Sequence, residues 1–156
     1  MAPRRASGPC IDPRYAAFRL RIARSRIHRR GVFACQTIPA HRKVIEFAGE
    51  RISRVENRRR FLRAWRAKGQ KLIYLARLDR YWWIDGAVGG SGAECVNHSC
   101  DPNVVVRRRK GHLLFFSSRR ISAGDELTVD YQFPKEGPRV VCRCCSRRCR
   151  GTINLS

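Results

Sequence analysis

Cys142-Arg143-Cys144-Cys145-Ser146-Arg147-Arg148-Cys149-Arg150-Gly151-Thr152-Ile153 is the stretch whose reading decides this chain. Cys142, Cys144 and Cys149 stand in a C-x-C-x4-C spacing, one thiol short of the four ligands of a structural zinc site. The fourth must come from elsewhere, and Cys100, in Asn97-His98-Ser99-Cys100, is the best candidate. Cys145 abuts Cys144, and two adjacent residues do not both fit comfortably in one small site. The competing reading of eight cysteines in 156 residues is a disulfide framework. No export signal is visible, and the metal-like spacing favours zinc. Cys10, Cys35 and Cys95 read as ordinary thiols.

A chain of 156 residues with 43% hydrophobic content suits one globular domain with a real core. No run approaches the ~18 apolar residues of a membrane span, so no membrane role is expected. The charge is extreme, with 34 basic against 12 acidic residues and a net +22. Five of the basic residues are lysines (Lys43, Lys68, Lys71, Lys110, Lys135) and the rest are arginines. Such a charge concentrates anions and self-repels the compact state. DNA, RNA or a nucleoprotein are the natural partners; the bland alternative is compositional drift toward arginine, with the surface only keeping the protein soluble.

Residues 1–16 carry Pro3, Gly8, Pro9 and Pro13 among Arg4, Arg5 and Arg14, which suits a flexible basic N-terminal arm. From Phe18 the pattern changes: Phe18, Leu20 and Ile22 alternate with arginines as in a half-buried strand. Residues 31–34 and 44–47 read as further short strands. Ser53 with Glu56 three residues on is a capping-box signal. Val55, Arg58, Leu62 and Trp65 then recur at helical spacing beside Phe61, which predicts a helix over residues 53–69 that Gly69 can end. Arg59, Arg60, Arg63 and Arg66 form its opposite face, either simply solvated or anion-binding. Residues 72–75 and 81–85 read as strands, followed by a glycine-rich stretch over 86–92. Residues 103–106 and 113–117 flank Arg107-Arg108-Arg109-Lys110-Gly111 as a hairpin with a basic tip. Residues 127–131 close the set. Many short strands with one helix predict a mostly β domain of the α+β class. The expected division is an arm (1–16), a body (17–134) and a tail (135–156).

Three separated segments carry a resemblance: Asn97-His98-Ser99-Cys100-Asp101-Pro102-Asn103, Gly124-Asp125-Glu126-Leu127-Thr128-Val129-Asp130-Tyr131, and the cysteine tail. In this order they resemble the SET-domain protein-lysine methyltransferases with a zinc-binding post-SET tail. The likeness runs from Leu20 to Leu155. Arg24-Ser25-Arg26-Ile27-His28-Arg29-Arg30-Gly31-Val32-Phe33-Ala34 looks like the opening motif, and Val44-Ile45-Glu46-Phe47-Ala48-Gly49-Glu50-Arg51-Ile52 like the next strand pair. Ile73-Tyr74-Leu75 and Trp83-Ile84-Asp85-Gly86 resemble the approach to the Asn97 motif. The implied SET-domain fold is a set of small curved β-sheets with a threaded C-terminal segment and one insert helix. In its zinc-bound tail Cys100, Cys142, Cys144 and Cys149 share the ion.

The resemblance implies methyl transfer from S-adenosylmethionine to a protein lysine ε-amine. Such a reaction asks for alignment of nitrogen, methyl and sulfur, and for a lysine held without its proton. Tyr131 would be the catalytic tyrosine, and Tyr74 would line the lysine channel. Arg30, Gly31 and Val32 would meet the methionine end of the donor through their backbone, and Asn97 and His98 its other portions. Zinc would be structural. Arg29 stands where the family commonly has the first glycine of Gly-x-Gly, Glu94 where a basic residue is usual, and Ser91 where asparagine is common. Val129 occupies a position where the family often has phenylalanine or tyrosine; the smaller side chain leaves room for more than one methyl group on the lysine.

A +22 enzyme repels a free basic peptide. The expected substrate is therefore a histone, or a DNA-compacting or ribosomal protein, met with its nucleic acid. The site of action would be prokaryotic cytoplasm or nucleoid, or the nucleus and chromatin of a host. The charge alone also fits a different class, a catalytically inactive SET-like zinc module that binds nucleic acid. That reading leaves the coincidence of Tyr131 with the Asn97 motif unexplained.

Overall fold

The computed structural model describes residues 8–67 and 74–156. Short strands dominate because the apolar residues come in runs of two to four between arginines and turns, too short to cover a helix face. β1 (Leu20–Arg24) and β2 (Arg30–Ala34) form an antiparallel pair with Leu20 opposite Ala34 and Arg24 opposite Arg30. Leu20 and Ile22 of β1 pack toward the core while Arg21 between them is exposed, the alternation expected from the sequence, which ends at the exposed Arg24.

β3 (Lys43–Glu46) leads through Gly49 into β4 (Glu50–Ser53). After helix α1 (Arg54–Arg66) come β5 (Leu75–Arg77) and β6 (Trp82–Asp85), and β4-β6-β5 make one antiparallel sheet. A 3-10 turn, Ala93–Cys95, feeds the two-residue β7 (Asn97–His98). β8 (Val104–Arg109) and β9 (His112–Ser117) form the expected hairpin and, with β3, the sheet β3-β9-β8. Lys110 and Gly111 both have positive φ (48° and 80°), the two-residue turn that matches strand twist. β10 (Thr128–Val129) pairs in parallel with β7. The sheets share one core, in which Val32, Ile38, Val44, Ile45, Val104 and Leu127 are fully enclosed.

Helix α1 begins as its sequence predicts, with the Ser53 hydroxyl accepting the Glu56 N–H at 3.2 Å. Its apolar face, however, meets no core. None of its residues is buried, and Val55 and Trp65 are 79% and 54% exposed. One arginine anchors it instead. Arg60 reaches Glu50 at 2.7 Å, Glu56 at 2.8 Å and the buried Asp85 at 2.6 Å. Gly69, expected to end this helix, and Leu72 and Ile73, expected to open the next strand, lie outside the described residues.

Residues 1–7 also lie outside them, but the remainder of the expected arm runs along the body. The Asp12 N–H donates to the Ser91 carbonyl at 2.9 Å and the Glu46 N–H to that of Tyr15 at 3.1 Å. Ile11, Tyr15 and Ala16 pack on the core, so apolar side chains hold this arginine- and proline-bearing stretch down.

Candidate active site and metal centre

The β7–β10 pairing sets Asn97 beside Thr128 and His98 beside Val129. Two residues make a weak ladder, and Asn103 reinforces it. Its amide accepts the Thr128 N–H at 2.9 Å and donates to the Glu126 carbonyl at 2.9 Å, replacing a missing neighbour strand. The Asn97 amide nitrogen turns the other way, to the carbonyls of Arg30 (2.9 Å) and His28 (3.2 Å) and to Glu126 Oε1 (2.8 Å). The Glu126 carboxylate also accepts the Ser25 hydroxyl at 2.8 Å. Ser25 in turn accepts the Ile27 N–H at 2.9 Å, so one carboxylate holds the loop between β1 and β2 from both ends.

This arrangement changes the reason for Gly31. A Cβ added there would lie 2.1 Å from Glu126 Oε1 and 3.2 Å from the Asn97 amide nitrogen. The glycine makes room for a protein carboxylate. Val32 stands apart from the surface: it is wholly enclosed, and its carbonyl accepts the Leu127 N–H at 2.8 Å. Of the three residues expected to meet the methionine end, only Arg30 is exposed.

His98 is buried and links the site to the tail. Its Nδ1 accepts the Tyr131 N–H at 3.1 Å, and its Nε2 lies 3.4 Å from the Cys100 sulfur. Burial lowers its pKa against the opposing pull of Asp130, with Arg150 lowering it further. The neutral tautomer that fits carries its proton on Nε2, directed at the sulfur.

Tyr131 presents part of its ring to solvent, 39% exposed, and stacks on Phe133 at 5.7 Å between ring centres. Its hydroxyl points inward and donates to the Val96 carbonyl at 2.9 Å. Burial of that hydroxyl, reinforced by Cys95, Tyr74 and Glu126, pushes its pKa well above the usual phenol value. Tyr74 is also raised, by burial first and then by Cys95 and Glu94, while Arg29 and Arg30 pull it down. The two phenols and the two arginine charges thus act on one small region.

The four thiols of Cys100, Cys142, Cys144 and Cys149 lie within 4.8 Å of one another. All eight cysteines are free of disulfides, against the disulfide framework. Four bonds of ~2.3 Å to a tetrahedral zinc place sulfurs about 3.8 Å apart; Cys100 and Cys142 are 3.7 Å apart. Backbone N–H groups already point at the sulfurs, from Arg150 to Cys100 (3.4 Å), Cys144 to Cys142 (3.5 Å) and Gly151 to Cys149 (3.4 Å). Such donors favour thiolates, the form that binds a metal. Cys145, with φ +56° and an exposed side chain, is outside the cluster.

Arg150, beside the last of these cysteines, grips Asp130 in a bidentate ion pair at 2.8 and 3.1 Å. Asp130 directly follows β10 and precedes Tyr131, so this pair fastens the tail there, beside its contacts with Cys100. Sequence reasoning passed over Ser25, Glu126, Asn103, Asp130 and Arg150. Asp130 and Arg150 at least adjoin residues it had singled out. Ser25 and Glu126 fall inside motifs quoted above, but they are 101 residues apart and nothing local shows that they meet.

The three departures from the family pattern have structural counterparts. Arg29 has φ +39°, the left-handed region that a glycine enters without steric cost. Glu94 folds back to accept the Gly92 N–H at 2.8 Å. Burial raises its pKa. Ser91 is fully buried, with its hydroxyl donating to the Glu46 carbonyl at 2.6 Å.

Comparison with known proteins agrees with this geometry. The family model described as SET domain matches residues 29–132. The histone-lysine N-methyltransferase trithorax of Drosophila virilis is 38% identical over 139 residues, covering 85% of this chain and 4% of that protein. The histone-lysine N-methyltransferase set1 of Dictyostelium discoideum is 36% identical over 143 residues, covering 87% of this chain and 9% of its own length. This chain thus spans less than a tenth of either relative. Among solved structures, KRYPTONITE in complex with mCHG DNA and SAH superposes with a TM-score of 0.73 at 24% identity, over 88% of this chain and 29% of that one. That likeness is one of fold.

Two outcomes follow from the geometry. Metal analysis of the purified protein should find one zinc per chain, and chelation should open residues 135–156 to protease while the body resists. Metal-free protein with a protease-resistant tail would contradict the assignment. Arg29→Gly should raise stability by about 1 kcal/mol by removing a left-handed non-glycine residue, read as a higher denaturant midpoint. An unchanged or lower midpoint would show that the Arg29 backbone is not strained.

Proposed function

The chain belongs to the SET-domain family, and on that premise we propose that it transfers a methyl group from S-adenosylmethionine to the ε-amine of a lysine in a nucleic-acid-associated protein. One observation carries the reading. The Asn97-His98 strand and the Thr128–Tyr131 segment meet at a buried tyrosine hydroxyl, next to a loop anchored on Glu126 and a four-cysteine centre that reaches His98 through Cys100.

The methyl donor supplies an electrophilic carbon on a sulfonium. In the transfer its S–CH3 bond breaks as an N–CH3 bond forms, leaving S-adenosylhomocysteine and a proton to depart. This chain's residues would do the rest. The Asn97 amide, itself held by Glu126, keeps the carbonyls of His28 and Arg30 in place, which shapes the loop against which the donor would lie. His98 fixes the Tyr131 backbone through Nδ1. Because burial raises the phenol's pKa, Tyr131 stays protonated and acts as an orienting hydrogen-bond group rather than as a phenolate base. The lysine must then lose its proton to water before attack. At Tyr74 the charges of Arg29 and Arg30 favour a neutral amine, and Glu94 opposes them.

Support for the substrate class comes from the relatives, both named for histone lysines, and from the +22 charge, which suits a protein met on its nucleic acid. The substrate would be a histone or another DNA- or RNA-associated protein, and the place of work chromatin or a nucleoid. Among the described residues no helix is long and apolar enough to cross a membrane. Zinc would be structural, pinning the tail through Cys100, Cys142, Cys144 and Cys149. Val129 is buried beside His98 and offers no hydroxyl there. That favours transfer of a second and third methyl group.

Calorimetric titration of S-adenosylmethionine into zinc-loaded protein should give saturable binding at one site per chain. Tyr131→Phe should keep that affinity and lose turnover by roughly a hundredfold or more, the scale of one lost positioning hydrogen bond. Undiminished turnover in Tyr131→Phe would remove the tyrosine from the mechanism, and absence of binding would remove the reaction. Run to exhaustion, the reaction should give di- and trimethyl-lysine by mass spectrometry. Monomethyl product alone would refute the reading of Val129.

A further inference from the structure

The positive charge is not spread evenly in function, because some arginines already have partners. Arg14 pairs with Asp12, Arg60 with Glu50, Glu56 and Asp85, Arg119 with Asp101, and Arg150 with Asp130. Another set has no ion pair among the described residues, and close contacts join its members into one strip. At one end Arg54, Arg80, Tyr81 and Trp82 line a shallow groove of about 520 Å³. The Arg80 guanidinium lies over the Tyr81 ring at 4.5 Å, and that of Arg51 over the Trp82 ring at 5.6 Å. Arg51 then reaches the tip of the β8–β9 hairpin, where a Cβ added to Gly111 would be 3.0 Å from its Nη2. Lys110 is the other tip residue. Arg108, two residues before it, crosses to the neighbouring sheet and donates to the Arg77 carbonyl at 3.1 Å.

Arg51, Arg54, Arg77, Arg80, Arg108 and Lys110 are all exposed. The nearby carboxylate, Asp79, is engaged by the backbone N–H groups of Tyr81 (2.7 Å) and Trp82 (2.8 Å). Its pKa is held down first by those bonds, with Arg51 and Arg77 adding to the effect. Two of the guanidiniums lie against exposed aromatic rings, Tyr81 at 58% and Trp82 at 40%. A ring beneath a guanidinium favours one orientation of a group that otherwise moves freely, and Arg80 is fixed further by an N–H given to the Tyr81 hydroxyl. That is the arrangement suited to forked bonds with phosphate oxygens.

We propose that this strip, from the Arg54–Trp82 groove across the hairpin tip, is a docking surface for the phosphodiester backbone of duplex DNA. The cations come from β4, the start of α1, β5, the β5–β6 turn and the β8–β9 hairpin, so they form a surface in the folded chain, not one basic segment. The surface also lies near the chemistry. Tyr74 directly precedes β5, and Arg77 lies three positions further along, roughly 10 Å away. DNA on this strip would bring the lysines of a bound protein close to the channel. Docking deepens the proposed function but is measured without it, since binding needs no methyl transfer.

The test is fluorescence anisotropy of the zinc-loaded full chain with a labelled duplex of mixed sequence. Six phosphate contacts should weaken binding about a thousandfold between 50 and 200 mM salt. The variant Arg51→Ser/Arg80→Ser/Arg108→Ser should bind at least tenfold more weakly and have a salt slope lower by about three. The variant Arg42→Ser/Arg120→Ser/Arg139→Ser has the same net charge and should stay within about twofold of the parent. Zinc content and methylation of a short lysine peptide should be unchanged in both, which separates loss of docking from loss of fold or chemistry. Equal weakening by the two triple variants would overturn the proposal in favour of diffuse attraction. Tighter binding of oligothymidine or of polyglutamate than of the duplex would overturn it in favour of another partner.

Discussion

A parallel pairing of two residues, Asn97 with Thr128 and His98 with Val129, is the constraint on which the site depends. Parallel strands need a long connection between them, here the stretch that carries Cys100 and the whole β8–β9 hairpin. A pairing so short has little strength of its own. It survives because Leu127 and Val96 on either side are buried in the core and because Asn103 bonds both the Glu126 carbonyl and the Thr128 N–H. Asn97, His98, Cys100 and Tyr131 all lie on this crossing or within two residues of it. Asn97 faces the loop, His98 the tyrosine backbone, Cys100 the tail, and Tyr131 follows Asp130 out of β10.

Charge explains why the acidic residues stand where they do. With 34 basic residues and 12 acidic ones, most cations have no carboxylate to pair with, and mutual repulsion opposes compaction. Several carboxylates are placed at joints. Glu50, Glu56 and Asp85 bring the otherwise unburied helix α1 onto its sheet through Arg60, and Asp130 brings the tail onto the active strand through Arg150. Glu126 lies at the base of the site loop and accepts hydrogen bonds from Ser25 and Asn97. The surplus arginines remain on the surface, where their attraction is available to a polyanion.

Local signals were legible and distant ones were not. The Ser53–Glu56 cap and the hairpin around residues 107–111 arise from residues a few positions apart, and the structure shows both, with the strands extended to Arg109 and His112 so that the expected five-residue tip shrinks to Lys110-Gly111. The cysteine spacing, too, pointed to a cluster that the fold assembles. The same local reasoning assigned α1 an apolar face, but whether such a face is covered depends on what packs there, and here Val55 and Trp65 stay exposed. It took the prolines and arginines before Phe18 for a mobile arm and missed that Ile11, Tyr15 and Ala16 have a core to meet. Gly31 was expected to lie against the donor, yet the atom that demands a glycine there belongs to Glu126, far along the chain. Spacing reveals that a residue is constrained, whereas the identity of the constraint is set by the fold.

The tail shows why a metal suits this architecture better than more core would. Between residues 135 and 156 only Thr152 and Asn154 are buried, and both are polar. Such a segment cannot be held by apolar burial. Its hydrogen bonds, from Thr152 to the Val140 carbonyl and from Asn154 to that of Pro134, shape it internally or tie it to nearby chain. Firm attachment to the body has to come through Cys100 and Arg150, and a metal at the four sulfurs supplies free energy on the scale of ~10 kcal/mol where hydrophobic contact is lacking. Attachment there has a further consequence. Cys100 receives the His98 Nε2 proton, and His98 receives the Tyr131 N–H, so the sulfur that holds the tail also helps to hold the tyrosine. Order in the tail and order at the site are therefore one property, because a single histidine touches both.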